Sequence, residues 1–266
     1  MKRNVLVLMI LGLCACMMIP AAWAQDPPRN YSLAQGSTIS IANVSGEISV
    51  TGANIPGVIV TTVREGRDKD MVDIEDVSSG GNLSLKVRYP RDGGNIQASV
   101  RFIVQVPVGY RYKYDSLATA SGDVLLSNVA GEINAKTASG NISITRVDGI
   151  VRASTASGDI RVLEASGAVT ANTASGDIEV ELTRIDATQA LQELKFASAS
   201  GDVTVRVLGP LNAQVEMSTA SGSITNDFGL RVEEPEGHGK KASGIVGTGA
   251  IKLKMAAASG DLKLIK

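Results

Sequence analysis

The chain has 266 residues, with 26 basic against 27 acidic side chains and a net charge of −1. That balance argues against nucleic acid as a partner. Two cysteines and one histidine supply no zinc ligand set and little for nucleophilic catalysis.

Lys2 and Arg3 precede an apolar run from Val5 to Ile19, and Pro20-Ala21-Ala22-Trp23-Ala24 closes it. Ala22-Trp23-Ala24 has the A-x-A pattern, so residues 1–24 read as a secretory signal peptide cut between Ala24 and Gln25. The run is shorter than the ~20 residues of a spanning helix. A second reading takes Leu13-Cys14-Ala15-Cys16 as a lipobox-like stretch, with a lipoprotein anchored through Cys16. Cleavage after Ala24 removes both cysteines, so the exported chain is expected to have no disulfide. Residues 25–36 read as a linker.

Residues 37–116 read as irregular coils. Ser37 to Val50 reads STISIANVSGEISV, with Gly46 followed by Ile48 and Val50. Val58 to Val63, Leu83 to Val87 and Ile96 to Val106 are expected strands with polar turns between them. Tyr110, Tyr112 and Tyr114 alternate with Arg111 and Lys113, which puts three rings on one face of a strand. If exposed, they would stack on sugars. If buried, they would be bulky core, and the shared parity with Val104, Val106 and Val108 favours burial.

Residues 117–182 are a regular repeat. Glycine falls at 122, 131, 140, 149, 158, 167 and 176, nine residues apart each time. An alternating strand follows each one, such as Ile142 and Ile144, Val151 and Ala153, or Ile160 and Val162. One nine carries large apolar pairs and the next ends in alanine (Ala135, Ala153, Ala171), so the unit is eighteen residues. Each unit is two strands and two turns. Stacking the units in parallel places equivalent residues ~4.8 Å apart. The fold class is therefore all-β: a single-domain right-handed parallel β-solenoid with 18-residue coils made of two 9-residue strand-turn units. Glycine recurs where each coil turns a corner.

Residues 183–266 continue the pattern with insertions. Asp186 to Lys195 reads as a short helix with Asp186 as N-cap. Gly229 to Gly249 reads as an exposed loop. Ser-Gly returns at Gly201, Gly222 and Gly260. Lys252, Lys254, Lys263 and Lys266 read as charges that protect a terminal edge strand.

SGEISV at 45–50, VPVGYRYKYDSLATASGDV at 106–124, the repeated TASG[DN]I and GTGAIKLKMAAASGDLKLIK at 247–266 carry a family resemblance. The chain resembles bacterial putative-adhesin domains of unknown function, related to the GIN-domain adhesin heads, over roughly residues 36–266. The resemblance implies a right-handed parallel β-helix. It carries over no functional residue, because its motifs make corners.

Asp123, Asp159, Asp177, Asp202 and Asp261 each follow Ser-Gly, with Asn141 and Ser223 at equivalent places. One reading is a ladder of Ca²⁺ ligands, as in nonapeptide β-rolls. Those rolls carry a glycine pair and a second glycine before the aspartate, whereas this chain has one glycine per nine. The other reading, turn-capping Asx side chains, fits better. Thr119, Thr137, Thr155, Thr173 and Thr219 are expected to hydrogen-bond at the turns. No catalytic residue, metal or cofactor is expected, and His238 lies alone in the loop. The expected role is an exported cell-envelope structural or binding protein, adhesin-like, that contacts an envelope component, glycan or protein. The alternatives are a periplasmic regulator or sensor in a stress response and, last, a polysaccharide-active β-helix enzyme. The expected location is the periplasm, the outer-membrane surface or the medium.

Overall fold

The structure, a computed structural model, describes residues 23–90, 95–185, 193–235 and 239–266. The chain opens with β1 (Trp23–Gln25), β2 (Arg29–Tyr31), β3 (Thr38–Ala42), β4 (Ile48–Ala53) and β5 (Val58–Glu65). A 3₁₀ turn at Lys69–Met71 leads to β6 (Asp73–Asp76), β7 (Leu83–Arg88) and β8 (Ser99–Pro107). The regular part is β9 (Arg111–Ser121), β10 (Val124–Ser139), β11 (Ile142–Ser157), β12 (Ile160–Ser175) and β13 (Ile178–Arg184). There follow β14 (Glu193–Ser200), β15 (Val203–Val207), β16 (Ala213–Ser221), β17 (Ile224–Asn226), β18 (Val232–Glu233), β19 (Lys240–Val246), β20 (Ile251–Ser259) and β21 (Leu262–Ile265).

The architecture is all-β and mostly parallel, in line with a β-solenoid. β10, β11 and β12 pair at an offset of eighteen residues: Val124 with Ile142, Ile142 with Ile160, Ala135 with Ala153, Ala153 with Ala171. The inward positions of each strand are buried. Ile133, Ile142, Ile144, Ile160 and Val162 are fully covered, and Ala135, Ala153 and Ala171 lie in the same core. Alternation in the sequence thus becomes one continuous apolar column, which is what makes these segments strands.

Each long strand bends in its middle. Asn128, Arg146 and Glu164 stack there in the left-handed region, with φ of 57°, 54° and 53°. Gly131, Gly149 and Gly167 follow three residues later, also at positive φ. The second corner of each coil is therefore made by two left-handed residues, only one of them glycine.

Pairing order departs from chain order at both ends. β3 and β4 lie between β7 and β8 on one side and β9 and β10 on the other. β20 and β21 lie between β14 and β15 on one side and β16 and β17 on the other. The closing strands were expected at an edge, with lysines as protection. They are interior instead, and Lys254 pairs with Glu193 at 3.2 Å. Antiparallel strands take up the flanks: β5 on β8, β6 on β7 and β19 on β16. An edge strand presents unpaired backbone, and an added antiparallel strand satisfies it.

The expected loop at Gly229 to Gly249 contains β18 and β19, because its alternate residues can pair along β16. Of the expected helix at Asp186–Lys195, residues 186–192 lie outside the described residues. Glu193 to Lys195 belong to β14, where Leu194 and Phe196 are buried. Residues 1–22, with the expected leader and Cys16, and His238 also lie outside the described residues. Of the expected cleavage pair, Ala24 and Gln25 fall in β1, opposite Arg64 and Val63.

Candidate binding surface along the Ser-Gly corner

The corner is built by the motif Thr-Ala-Ser-Gly-Asp, each position with its own task. Threonine points inward. Thr137 Oγ1 donates to the Gly122 carbonyl at 3.0 Å, Thr155 to Gly140 at 3.1 Å and Thr173 to Gly158 at 3.1 Å. These hydroxyls are buried and satisfied, so each coil is fastened to the coil before it. Two members of this column escape a search for threonine. Ser198 Oγ donates to the Gly176 carbonyl, and Asn43 Nδ2 donates to the carbonyls of Gly46 and Val100. A search for any polar residue two places before a Ser-Gly would have revealed both.

Glycine sits where strands come closest. Gly158 has φ of +144°, and a Cβ there would stand 2.0 Å from the Gly140 carbonyl oxygen. Only glycine fits such an approach. Its N–H donates to the Ser175 carbonyl at 2.9 Å.

The acidic column is a one-way ladder. Asp123 Oδ1 accepts from Asn141 N at 2.8 Å, and Asn141 Oδ1 accepts from Asp159 N at 2.9 Å. Asp159 Oδ1 accepts from Asp177 N, and Asp177 Oδ1 from Asp202 N. Asp202 Oδ1 accepts from Asp261 N, and Asp261 Oδ1 from Ser223 N, both at 2.8 Å. The Ser223 amide and then its hydroxyl hold the Asp261 carboxyl below the usual carboxylate range. Asn141 serves in the column with an amide oxygen, so the ladder needs an acceptor rather than a charge. Among the described residues, no cluster of three or more His, Cys, Asp or Glu is placed to hold a metal ion.

Alanine and serine of the motif face outward. Ala138, Ala156, Ala174, Ala199 and Ala258 are exposed, as are the serines after them. Ser139, Ser157, Ser175, Ser200, Ser259 and Ser221 pair in register, so methyl and hydroxyl columns run side by side. Beyond the glycine lies a groove of ≈ 480 Å³, lined by Asp123, Asn141, Asp159, Asp177 and Asp202 together with Arg161 and Glu179. The strip offers methyl, hydroxyl and carboxylate groups on a fixed ~4.8 Å spacing.

The three tyrosines do not form an exposed aromatic strip. Tyr112 and Tyr114 are buried, at 1% and 0% exposure, and their rings meet edge to face with centroids 6.2 Å apart. Tyr110 alone is exposed, because β9 begins after it. Among the described residues the buried Tyr114 hydroxyl has no hydrogen-bond partner, and burial pushes its ionisation far above the usual tyrosine range.

A parallel all-β stack with corners of this kind defines the class. The chain belongs to the Toastrack DUF4097 family, whose pattern matches residues 28–265. No curated protein matches it in sequence. Solved structures similar to it include a putative adhesin from Bacteroides fragilis, with 12% identity, 90% of this chain and 96% of that one covered, and a TM-score of 0.43. Another is a putative cell adhesion protein from Clostridium sporogenes, with 10% identity, 91% and 99% covered, and a TM-score of 0.39. Similarity this distant carries no argument about binding.

Proposed function

We propose that this is an exported cell-envelope protein whose Ser-Gly corner strip is an adhesin-like binding surface, carried on a right-handed stack of 18-residue coils. The role is contact, without catalytic turnover. The observation that carries it is the outward register of the strip. Ala138, Ala156 and Ala174, their serines, and the aspartate column repeat at the same spacing with inward threonines fixing each corner. A surface with one fixed repeat suits an extended polymer with a repeat of its own, a glycan or a polypeptide of the envelope. Shape and hydrogen-bonding groups would be matched many times over, each contact weak. The leader at 1–24 supports export, with cleavage between Ala24 and Gln25.

The test is a glycan and lipid array probed with the mature chain, followed by Ala156→Lys with Ala174→Lys. Both alanines are exposed, so the double variant should stay folded and lose at most about 1 kcal/mol to repulsion between the neighbouring lysines. Binding should fall at least about tenfold, the equivalent of ~1.4 kcal/mol. Binding that survives the double substitution would remove the strip from the proposal. An array with no ligand at all would count against the contact role itself.

A further inference from the structure

The segment from β20 to β21 is a wedge between two layers that chain order would have made neighbours. The three layers carry one cassette: Ser200-Gly201-Asp202-Val203, Ser259-Gly260-Asp261-Leu262 and Ser221-Gly222-Ser223-Ile224. Each bond on one side of the wedge recurs in kind on the other. Gly201 N donates to the Ser259 carbonyl and Gly260 N to the Ser221 carbonyl, both at 2.9 Å. Asp202 Oδ1 takes the Asp261 N–H, and Asp261 Oδ1 takes the Ser223 N–H. Without the middle layer, the two outer faces would still match. The Ser221 carbonyl would meet Gly201 N, Ser223 N would meet Asp202 Oδ1, and Met217 would meet Phe196.

The tether of the wedge is short and local. Val246 of β19 and Ile251 of β20 both pair with Ala213, so residues 247–250 pass round the start of β16. Asn212 holds them there: its Oδ1 accepts from Thr248 N at 3.2 Å and its carbonyl from Ile251 N at 3.3 Å. Gly247 and Gly249 stand at φ of 62° and 70°, a conformation that glycine enters and leaves without strain.

We propose that Ile251–Ile265 is a releasable wedge, and that the stack has a second register in which β16 and β17 dock directly on β14 and β15. Release uncovers Leu253, Met255, Leu262 and Leu264, all buried. Closure of the gap restores layer-to-layer pairing, so the difference between registers is the burial of one layer and not of the whole fold. This gives the rod two lengths, differing by ~4.8 Å. The inference rests on the pairing alone and is independent of the binding role.

The test uses the full chain with Cys14→Ala and Cys16→Ala, so that only introduced thiols remain. Lys195 and Glu216 are exposed, and each pairs with Lys254. They stand two strand spacings apart, ~9.6 Å, beyond the roughly 7 Å that a disulfide can span. In the second register they would be adjacent. Lys195→Cys with Glu216→Cys, kept folded in oxidised glutathione, should form an intramolecular 195–216 bond at least about tenfold faster than global unfolding. Trypsin should then cut the released segment after Lys252, Lys254 and Lys263. Lys195→Cys with Lys254→Cys should close its bond and keep the segment protected. A 195–216 bond that is absent, that forms only at the global unfolding rate, or that forms without releasing the segment would overturn the proposal.

Discussion

Gly158 and Tyr114 set opposite limits on what one residue can do here. Gly158→Ala places a methyl 2.0 Å from the Gly140 carbonyl oxygen at positive φ. The loss should be about 3 kcal/mol or more, read from urea unfolding. A change within about 0.5 kcal/mol would mean that the corner yields. Tyr114→Phe should go the other way. It removes a buried hydroxyl that has no partner among the described residues, so stability should hold or rise by about 1 kcal/mol. A loss of similar size would reveal a partner for that hydroxyl. Tyr31 gives a pH signature. Burial, and then its 2.6 Å hydrogen bond to Asp76 Oδ2, push its ionisation up to about 12. The unfolded chain ionises near ~10. Stability from Tyr31 is therefore complete below that value and is lost as pH rises through the folded pKa. Near-ultraviolet titration should show a late step that Tyr114 shares, and Tyr31→Phe should lower its amplitude by one tyrosine. A titration unchanged by Tyr31→Phe would refute the assignment.

Single strands show how the two faces of a coil differ in weight. Ile160 is fully buried between Ile142 and Ile178, whereas Asp159 beside it is exposed and accepts one N–H. Ile160→Ala should cost about 2–5 kcal/mol and Asp159→Ala about 0.5–1.5 kcal/mol. Equal losses in chemical denaturation would mean the faces are assigned wrongly. This inward-outward division was legible in the sequence, because Ile142, Ile160 and Ile178 recur at one spacing and polar residues alternate with them. The middle corner was not. Arg146 and Glu164 adopt left-handed φ, and neither residue type marks that conformation. Nor could the sequence reveal which layer pairs with which. The cassettes at 200, 221 and 259 are nearly interchangeable, so the pattern fixes the register within a pair and leaves the order of layers open. The candidate strip was legible as a list of columns. That alanine faces outward while threonine faces inward follows from parity around the glycine, which the spacing alone did not resolve.

At the scale of the molecule, cohesion runs through backbone ladders and one apolar column. The Oδ1 acceptors of the acidic column are already occupied by amide hydrogens. The protein should therefore melt at nearly the same temperature in EDTA and in millimolar Ca²⁺. A structural ion would add about 2.7 kcal/mol at a hundredfold excess over Kd, and a rise of many degrees would turn the aspartates into ligands. The interior position of both β3–β4 and β20–β21 bears on how such a chain changes over generations. Inserting or deleting one eighteen-residue unit in the middle would preserve every register there. Each such event alters the rod by ~4.8 Å and leaves both interlocked ends untouched. Reach would thus change by whole layers while the two ends and the chemistry of the surface stay the same.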